Sequence, residues 1–477
     1  MVDFNCFLIY NAKGDFMIRK YIGDKAFYKK VLALTLPIML QNGITNLVNM
    51  LDNIMVGRLD IASSSGVTVT NQLIFVFNLC IFGAISGAGI FGAQFFGKGD
   101  NNGVRHTFRF KLIISLILSV LAVVLFIVAG KPLINLYLQG ESGNVDPVIT
   151  LKEARDYLNV MLIGLVPFAL SQCYSGTLRE CGRPVLPMVA GSIAVVTNLV
   201  FNYILIFGHF GAPALGVKGA AIATVASRYV ELVIIIIWTR MTAKNSPFII
   251  GVYRSLYVPA NLVKEIIKKG MPLMLNEALW SMGIATVNQC YSARGIEVVA
   301  ANNILQTFFN VFSVAFMAVG VAIGILLGQQ LGAKDEKGAM DTCRKLIMFS
   351  VLVSVIVGIV FFVCAIFIPK AYNYPDEVRD TATKLMQICA IVMPIDAFAH
   401  ATYFTLRSGG KTLITFVFDS GYMWVVSVPV AFVLSNFTSL NILWLYAIVQ
   451  LINLIKCIIG YIFVKKGVWI RNIVSNE

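Results

Sequence analysis

Long apolar runs, each followed by a short polar stretch, succeed one another from residue 31 to residue 464. The runs are continuous rather than alternating, and they reach the ~20 residues that a helix needs to cross a bilayer, far more than the ~10 of a membrane β-strand. The pattern therefore predicts an all-α polytopic membrane protein. Its twelve transmembrane helices are expected at about 31–57, 66–96, 110–130, 156–177, 185–207, 217–240, 265–290, 299–331, 345–368, 384–406, 413–435 and 440–464.

The composition agrees with this pattern, because 58% of the 477 residues are hydrophobic and only 13% are charged, against roughly a quarter in soluble domains. The net charge of +14 does not indicate a nucleic-acid partner, since the basic residues lie between apolar segments and form no continuous patch. The nine cysteines show no C-x-x-C spacing and no pairing with histidine, so we interpret them as packing residues.

The distribution of Lys and Arg predicts the orientation. Of the 38 basic residues, 27 fall on the side of the termini, nine fall in the opposite loops, and Arg228 and Lys456 lie inside apolar segments. Positive residues accumulate on the cytoplasmic side, so both termini are expected there, in the cytoplasmic membrane and without a cleavable signal peptide. We divide the chain into an N-terminal arm (1–30), an N-lobe (31–240), a linker (241–263), a C-lobe (264–465) and a tail (466–477).

An internal repeat supports this division. "TLPIML" at 35–40 matches "GMPLML" at 270–275, and "GAQFFGKGD" at 92–100 matches "LGQQLGAKD" at 327–335, both at an offset of 235 residues. The sequence therefore predicts two six-helix lobes related by a pseudo-two-fold axis along the membrane normal, as in secondary transporters with parallel repeats. No phosphate-binding loop for ATP is present in the sequence, so an ion gradient is the expected energy source.

Several stretches resemble the multidrug and toxic compound extrusion (MATE) transporters in the order in which that family has them. They are "LPIMLQNGITNLVNMLDNIMVGRLD" from residue 36, "FGAQFFGKGD" from 91, "VTNLVFNYILIFG" from 196, "GVKGAAIATVASR" from 216 and "PIDAFAHATYFTLRSGG" from 394. The resemblance covers about residues 25–465. It implies export of organic, often cationic, compounds in exchange for Na⁺ or H⁺.

Asp52 is the first candidate for the coupling chemistry. A charged side chain in a bilayer is costly unless it faces a protein interior or a water cavity, so an intramembrane acid suggests a functional site. A cap on nearby backbone or an ion pair with Arg58 is the structural alternative. The resemblance adds weight to a functional role, because the family has an ion-linked aspartate at this motif position.

Asn198 and Asn202 share one helix face because they lie four residues apart. Their amide oxygens, with the Thr224 hydroxyl and Asp52, are a candidate oxygen cluster for Na⁺, although amides in membrane helices often serve only as interhelical hydrogen-bonding groups. The resemblance implies Na⁺-linked groups at these positions. Many relatives carry a second aspartate where Asn202 stands, which leaves the choice between Na⁺ and H⁺ open.

Asp396 and Glu277 are the candidates in the C-lobe, for cation coupling and, together with Asp52, for substrate binding. Asp396 matches the family's tenth-helix motif, whereas Glu277 lies about one turn earlier than the glutamate of some relatives. A buried acid that only hydrogen-bonds for packing is the alternative for both. His400 and Asp419 are further polar residues in this lobe, and a structural histidine is the preferred interpretation of His400.

The expected function is secondary antiport of lipophilic, often cationic, drugs or toxins by a monomer surrounded by membrane lipid, with no cofactor besides the coupling ion. A flippase for lipid-linked precursors is an alternative, disfavoured because such a cleft needs several basic residues. A non-transporting membrane scaffold gives no reason for acids in both lobes. An enzyme is not expected, because no nucleophile–base set is recognisable.

Overall fold

The computed structural model describes residues 21–57, 59, 61–138 and 147–475, without the side chains of 49, 50, 53, 54, 61, 136–138 and 147. Most of the predicted N-terminal arm and Arg58 therefore lie outside the described residues. The regular elements in the described part are all helical, with no strand. They are α1 (Lys25–Gly57), α2 (Ile61–Lys98), α3 (Asn101–Leu138), α4 (Pro147–Glu180), α5 (Val185–Phe207), α6 (Gly216–Met241), α7 (Ala260–Ser292), α8 (Ile296–Phe312), α9 (Val314–Gly332), α10 (Glu336–Cys364), α11 (Asp376–Ser408), α12 (Thr412–Phe416), α13 (Val428–Phe437), α14 (Ile442–Leu451) and α15 (Asn453–Lys465).

The helices bear out the predicted twelve-span layout. Eleven stretches of the described chain are long and apolar enough to cross a membrane. The twelfth is α7, which has 33 residues but is less apolar because Asn276 and Glu277 lie in its middle. The eleventh span, Thr412–Phe437, is one helix whose central residues 417–421 and 423–427 adopt wider π-helical turns between α12 and α13.

Five of the spanning helices contain an internal proline: Pro37 in α1, Pro132 in α3, Pro167 in α4, Pro272 in α7 and Pro394 in α11. Proline has no backbone N–H, so each one removes a hydrogen bond to the carbonyl four residues earlier. Within a membrane the freed carbonyl is tolerated where neighbouring helices or water satisfy it. These prolines therefore mark positions where the spans can bend.

The chain forms two compact units. The N-terminal unit contains Leu40–Gly92 and Asp100–Ala278, and the C-terminal unit contains the described residues up to Met39, Ala93–Gly99 and everything from Leu279. Helices α1, α2 and α7 thus contribute residues to both units. The lobe boundaries inferred from the repeat stay a prediction, because the units are defined by packing and not by duplication.

The two segments that the repeat relates at an offset of 235 residues, 92–100 and 327–335, contact each other within the C-terminal unit. A Cβ placed on Gly97 would lie 1.8 Å from the backbone oxygen of Gln329, and one on Gly332 would lie 1.9 Å from that of Gln94. Gln94 and Gly97 are the repeat counterparts of Gln329 and Gly332. Gly97 packs on Gln329, and in the same way Gly332 packs on Gln94. Such reciprocity is what a two-fold axis produces, and it explains why only glycine fits at both positions.

A buried ion pair joins α3 to the end of α4 in the N-terminal unit. Lys111 Nζ lies 2.7 and 2.6 Å from the two carboxylate oxygens of Glu180 and donates to Thr177 Oγ1 at 3.1 Å. The Lys111 side chain is fully buried. Gly89 and Gly92 leave room for the carboxylate, since a Cβ on either would lie within 2.6 Å of a Glu180 oxygen.

The segment after α6 packs onto the N-terminal unit. Arg109 of α3 donates to the backbone oxygens of Val252 at 2.8 Å, Gly251 at 3.0 Å and Tyr257 at 3.2 Å. Phe248, between these contacts and α6, is 1% exposed. Much of the polar linker predicted from the sequence is therefore held in place by side-chain-to-backbone hydrogen bonds.

The segment after α15 is held in a similar way within the C-terminal unit. Trp469 is fully buried, with its backbone oxygen close to Gly409. Gln94 donates to the Arg471 oxygen at 3.1 Å and accepts from the Ile473 N–H at 2.8 Å. The stretches that follow the sixth and twelfth spans are thus each anchored by one buried aromatic residue.

Candidate functional site

Asp52 lies in the last two turns of α1 and meets α5 inside the N-terminal unit. Asn202 Nδ2 donates a hydrogen bond of 2.7 Å to Asp52 Oδ1. Asn198 and Asn202 are one helical turn apart and are 6% and 1% exposed, so both amides face the interior as their spacing predicts. The alternative ion pair between Asp52 and Arg58 involves a residue outside the described part of the chain.

The Asn198 amide fits its surroundings best with its nitrogen towards Asp52. In this orientation it donates to Oδ2 at 2.8 Å and to Oδ1 at 3.1 Å, and its oxygen accepts from Thr224 Oγ1 at 3.2 Å. In the opposite orientation the amide oxygen faces the carboxylate and accepts from Asn202 Nδ2 at 3.3 Å. Two acceptor oxygens that face each other repel unless a cation lies between them or the carboxyl group is protonated and donates a hydrogen bond.

An unsatisfied oxygen lies in the same cluster. Asn202 Oδ1 is inaccessible to solvent and has no hydrogen-bond partner in the described structure. A buried acceptor of this kind is costly and calls for a ligand, a water or an ion. Carboxylate, amide and hydroxyl oxygens are the donors that hard cations prefer, so Asp52, Asn198, Asn202 and Thr224 together suit a small cation. The four side chains thus have the chemistry that a Na⁺ site requires, and their role as Na⁺ ligands stays a prediction.

Three further residues lie around this cluster and were not predicted from the sequence: Tyr157, Asn71 and Arg228. Tyr157 of α4 is 5% exposed, donates to Asn71 Oδ1 at 3.3 Å and interacts with both Thr224 and Asp52. Arg228 of α6 attracts Asp52 electrostatically. A tyrosine near the end of a span is typical of the membrane interface, so its sequence position gave no signal for a site.

Arg228 balances the charge near Asp52 without a direct ion pair to it. Its guanidinium lies 3.5 Å from Glu231 and 5.1 Å from the ring centre of Phe168. It also lines a cavity of about 40 Å³ together with Thr224, Asn78 and Phe168. The Asp52 cluster therefore borders a small, mostly apolar cavity with one basic side chain in its wall.

The C-terminal unit has a second group of charged residues, on α11 and the two spans that follow. Asp396 and His400 lie one turn apart on α11, and Lys456 of α15 attracts Asp396. Lys456 Nζ forms an ion pair of 2.6 Å with Asp419, and both side chains are less than 15% exposed. Sequence reasoning named Asp396, His400 and Asp419 separately but did not predict that Lys456 joins them.

His400 is packed as a structural histidine would be. Its ring lies 5.0 Å from Phe404, 6.2 Å from Phe316 and 6.4 Å from Tyr403. A Cβ on Gly320 would lie 2.6 Å from the same ring. Glu277 is partly buried in α7 and belongs to the N-terminal unit, whereas Asp396 belongs to the C-terminal unit. A joint role of these two acids stays a prediction.

The MatE family model matches residues 37–204 and 272–433 of the chain. The "Probable multidrug resistance protein NorM" of Thermotoga maritima is 27% identical over 452 residues, which cover 92% of this chain and 93% of that protein. The "Probable multidrug resistance protein YoeA" of Bacillus subtilis is 24% identical and covers 87% of this chain and 89% of its own length.

Solved structures share the fold. The structure described as "Crystal structure of MATE in complex with MaL6" has a TM-score of 0.83 at 19% identity, covering 94% of this chain and 97% of that one. A second, described as "Outward-facing conformation of a multidrug resistance MATE family transporter of the MOP superfamily", has a TM-score of 0.82 with the same identity and coverage. Both agree with the twelve-helix, two-lobe layout.

Proposed function

The chain belongs to the MatE family, and on that premise we propose that it is a secondary active antiporter that exports lipophilic, often cationic, drugs or toxins in exchange for Na⁺ or H⁺. The names of its relatives, which cover nearly the whole chain, support export of several drugs. The twelve-span helical fold supports a membrane transporter rather than an enzyme. Ion exchange is the part of the proposal that rests on this chain's own residues.

The observation that carries the proposal is the Asp52 cluster. An ionisable side chain within a spanning helix is costly, and here two buried amides surround it, with no ion pair to any of the described residues. Asn202 Oδ1 also lacks a partner in the described structure. These features together suit a group that exchanges its cation.

Asp52 would couple the two flows by mutual exclusion. Its carboxylate holds a proton, a Na⁺ or a substrate cation, but one positive charge already satisfies it. Alternating access then gives exchange if the carboxylate must be neutralised before the protein passes between its two faces, because an uncompensated charge in the membrane interior is unfavourable. Coupling of this kind needs no other energy source than the ion gradient.

The Asn198 amide is the residue that we expect to respond to the ion. With its nitrogen towards Asp52 it compensates a bare carboxylate through two hydrogen bonds. Turned over, it adds its oxygen to those of Asp52 and Asn202 around a cation. The site contains one carboxylate and amide oxygens, so a monovalent ion matches its charge, and a proton on Asp52 is the alternative coupling ion.

Asp396 and Glu277 are proposed as further coupling or substrate-binding acids. Asp396 is the better supported of the two, because Lys456 attracts it and His400 lies one turn away on the same helix. We place the protein as a monomer in the cytoplasmic membrane, in contact with membrane lipid and with both termini in the cytoplasm. Its small-molecule partners are organic cations, and neither nucleic acid nor a cofactor is part of the proposal.

Dye efflux from everted membrane vesicles tests the proposal. Vesicles with the wild-type protein should accumulate a lipophilic cationic dye when a Na⁺ or proton gradient is imposed, and Asp52→Asn should lower the gradient-dependent rate at least about tenfold, the equivalent of ~1.4 kcal/mol. Asp380→Asn is the matched control, because Asp380 is exposed and pairs with Lys384 at the surface. Undiminished coupled transport by Asp52→Asn would exclude the proposed role.

The same assay separates the alternatives. A flippase for lipid-linked precursors would move a labelled polyprenyl pyrophosphate across the bilayer and leave the dye where it is. A non-transporting scaffold would leave both in place at every imposed gradient. Either result, with folded protein in the vesicles, would contradict antiport of organic cations.

A further inference from the structure

The ion pair between Asp419 and Lys456 joins the last two spans within their apolar segments. The Nζ–Oδ1 distance is 2.6 Å, and the side chains are 13% and 14% exposed. Lys456 Nζ also lies 5.2 Å from the ring centre of Phe418. Apolar residues of similar size often replace a buried ion pair without loss of stability, so such a pair is weak evidence for a purely stabilising role.

The backbone around this pair is irregular on both helices. Asp419 lies in the π-helical turn Val417–Gly421, and α14 and α15 are interrupted at Ile452, one turn before Lys456. The Tyr422 hydroxyl donates to the Ile452 backbone oxygen at 2.6 Å and so bridges the two irregular positions. Single π-helical turns are rare and often occur at functional sites.

The pair is held next to Asp396. Cys457 Sγ donates to the Ile395 backbone oxygen at 3.4 Å, which fixes α15 against α11 at the residues that flank Lys456 and Asp396. Lys456 attracts Asp396, and it also interacts with His400. One ammonium group therefore serves two carboxylates, so Asp396, Asp419 and Lys456 together have a net charge of one negative unit, and Arg407 lies farther along α11, beyond His400.

We propose that Lys456 is a built-in counter-ion that neutralises Asp419 and so restricts the site around Asp396 to a single positive charge. In this role it is a positioning and specificity residue: it does not bind the substrate but sets the charge of the substrate that the C-terminal unit accepts. The inference rests on the proposed export of cations. It predicts a preference for monocations over dications.

Removal of the Lys456 charge and removal of the Asp419 charge should change the number of positive charges that the site accepts in opposite directions. Lys456→Gln leaves two carboxylates, so the site accepts two positive charges. Asp419→Asn frees Lys456 to pair with Asp396, so the site accepts none. The double variant Asp419→Asn/Lys456→Gln again leaves one carboxylate and should behave like the wild type. A pair that acts only in packing predicts no such recovery.

The test uses purified protein in liposomes with tetraphenylphosphonium as the monocation and methyl viologen as the dication. We expect the dication-to-monocation transport ratio to rise at least about tenfold in Lys456→Gln, which corresponds to ~1.4 kcal/mol. Asp419→Asn should lose most transport of both probes, and the double variant should restore monocation transport. Asp380→Asn/Lys384→Gln is the control, because that pair has the same 2.6 Å separation on an exposed surface.

The proposal is overturned if folded Lys456→Gln keeps the wild-type ratio, or if the folded double variant is no more active than Asp419→Asn. Should Lys456→Gln fail to fold, the comparison of Asp419→Asn with the double variant decides alone. Binding of the two probes to the purified proteins is measured in parallel. If the wild type transports neither probe, the proposed antiport of organic cations is refuted. The ratio of dication to monocation binding then still tests whether Lys456 sets the charge of the site.

Discussion

The buried pair of Lys111 and Glu180 gives a stability prediction whose size follows from the structure. At 2.6 Å and an effective dielectric constant of about 20, the two charges attract each other by ~6 kcal/mol. The cost of removing both charges from water offsets part of this gain. Loss of one partner leaves the other charge buried, so Lys111→Met should lower the free energy of unfolding by about 3–5 kcal/mol.

The matched variants separate the charge from the packing. In Lys111→Met/Glu180→Met no buried charge is left unpaired, so most of the loss should be recovered, to within about 1–2 kcal/mol of the wild type. Lys384→Met is the exposed control, and loss of its ion pair should cost less than ~1 kcal/mol. Reversible unfolding in mixed micelles, followed by tryptophan fluorescence, measures all three.

Two results would refute this reasoning. The first is a loss below ~1 kcal/mol in Lys111→Met, which is the size expected of a solvated surface pair. The second is a double variant that is as unstable as the single one, because the loss would then come from packing around α3 and α4 and not from an unpaired charge.

Three further predictions concern the reciprocal contact, the C-terminal segment and the Asp52 cluster. Gly332→Ala forces a methyl group against the Gln94 backbone and should lower the free energy of unfolding by at least about 1–3 kcal/mol, whereas Ala at the open position Gly43 should not. Trp469→Ala should cost about 3–5 kcal/mol and speed proteolysis of the segment after α15, and Trp444→Ala, 67% exposed, is its control. Asn202→Asp replaces a donor 2.7 Å from Asp52 by a second acid, so Na⁺ in place of choline should raise its melting temperature more than that of the wild type; an equal shift would contradict a cation site there.

Much of the fold followed from the sequence because hydrophobicity and repetition act over whole helices. The twelve runs were long enough to identify every span, including α7, whose Asn276 and Glu277 lower its hydropathy. The repeat also pairs Gln94 and Gly97 with Gln329 and Gly332, and the structure places these residues in reciprocal contact. A glycine at equivalent positions of two copies has one common reason, the close approach of backbones.

Contacts between helices that are distant in sequence could not be predicted from the hydrophobic pattern. Lys111 looked like a residue of a cytoplasmic loop that sets topology, because nothing in its neighbourhood shows that Glu180 meets it 69 positions later. The sequence shows Lys456 only as a basic residue inside an apolar segment, and its partner Asp419 lies in a π-helical turn that no hydrophobic pattern indicates. Pairings of this kind are decided by helix rotation and register, which the hydrophobic pattern leaves undetermined.

The candidate site was predictable in part. The spacing of Asn198 and Asn202 put both amides on one face, and the structure brings that face to Asp52 and Thr224. Tyr157 and Asn71 were missed because polar residues near span ends are common at the membrane interface. The sequence indicated which side chains have suitable chemistry, and tertiary packing decided which of them meet.

Reversal of the exchange tests the central claim most directly, because coupling between two flows is reciprocal. Liposomes that contain only the purified protein are loaded with tetraphenylphosphonium, and the movement of ²²Na⁺ and of protons is recorded with no ion gradient imposed. The account predicts that outflow of the organic cation drives one of the two ions inwards, and that Asp52→Asn abolishes this ion movement. Outflow of the organic cation with neither ion moving in exchange would contradict it.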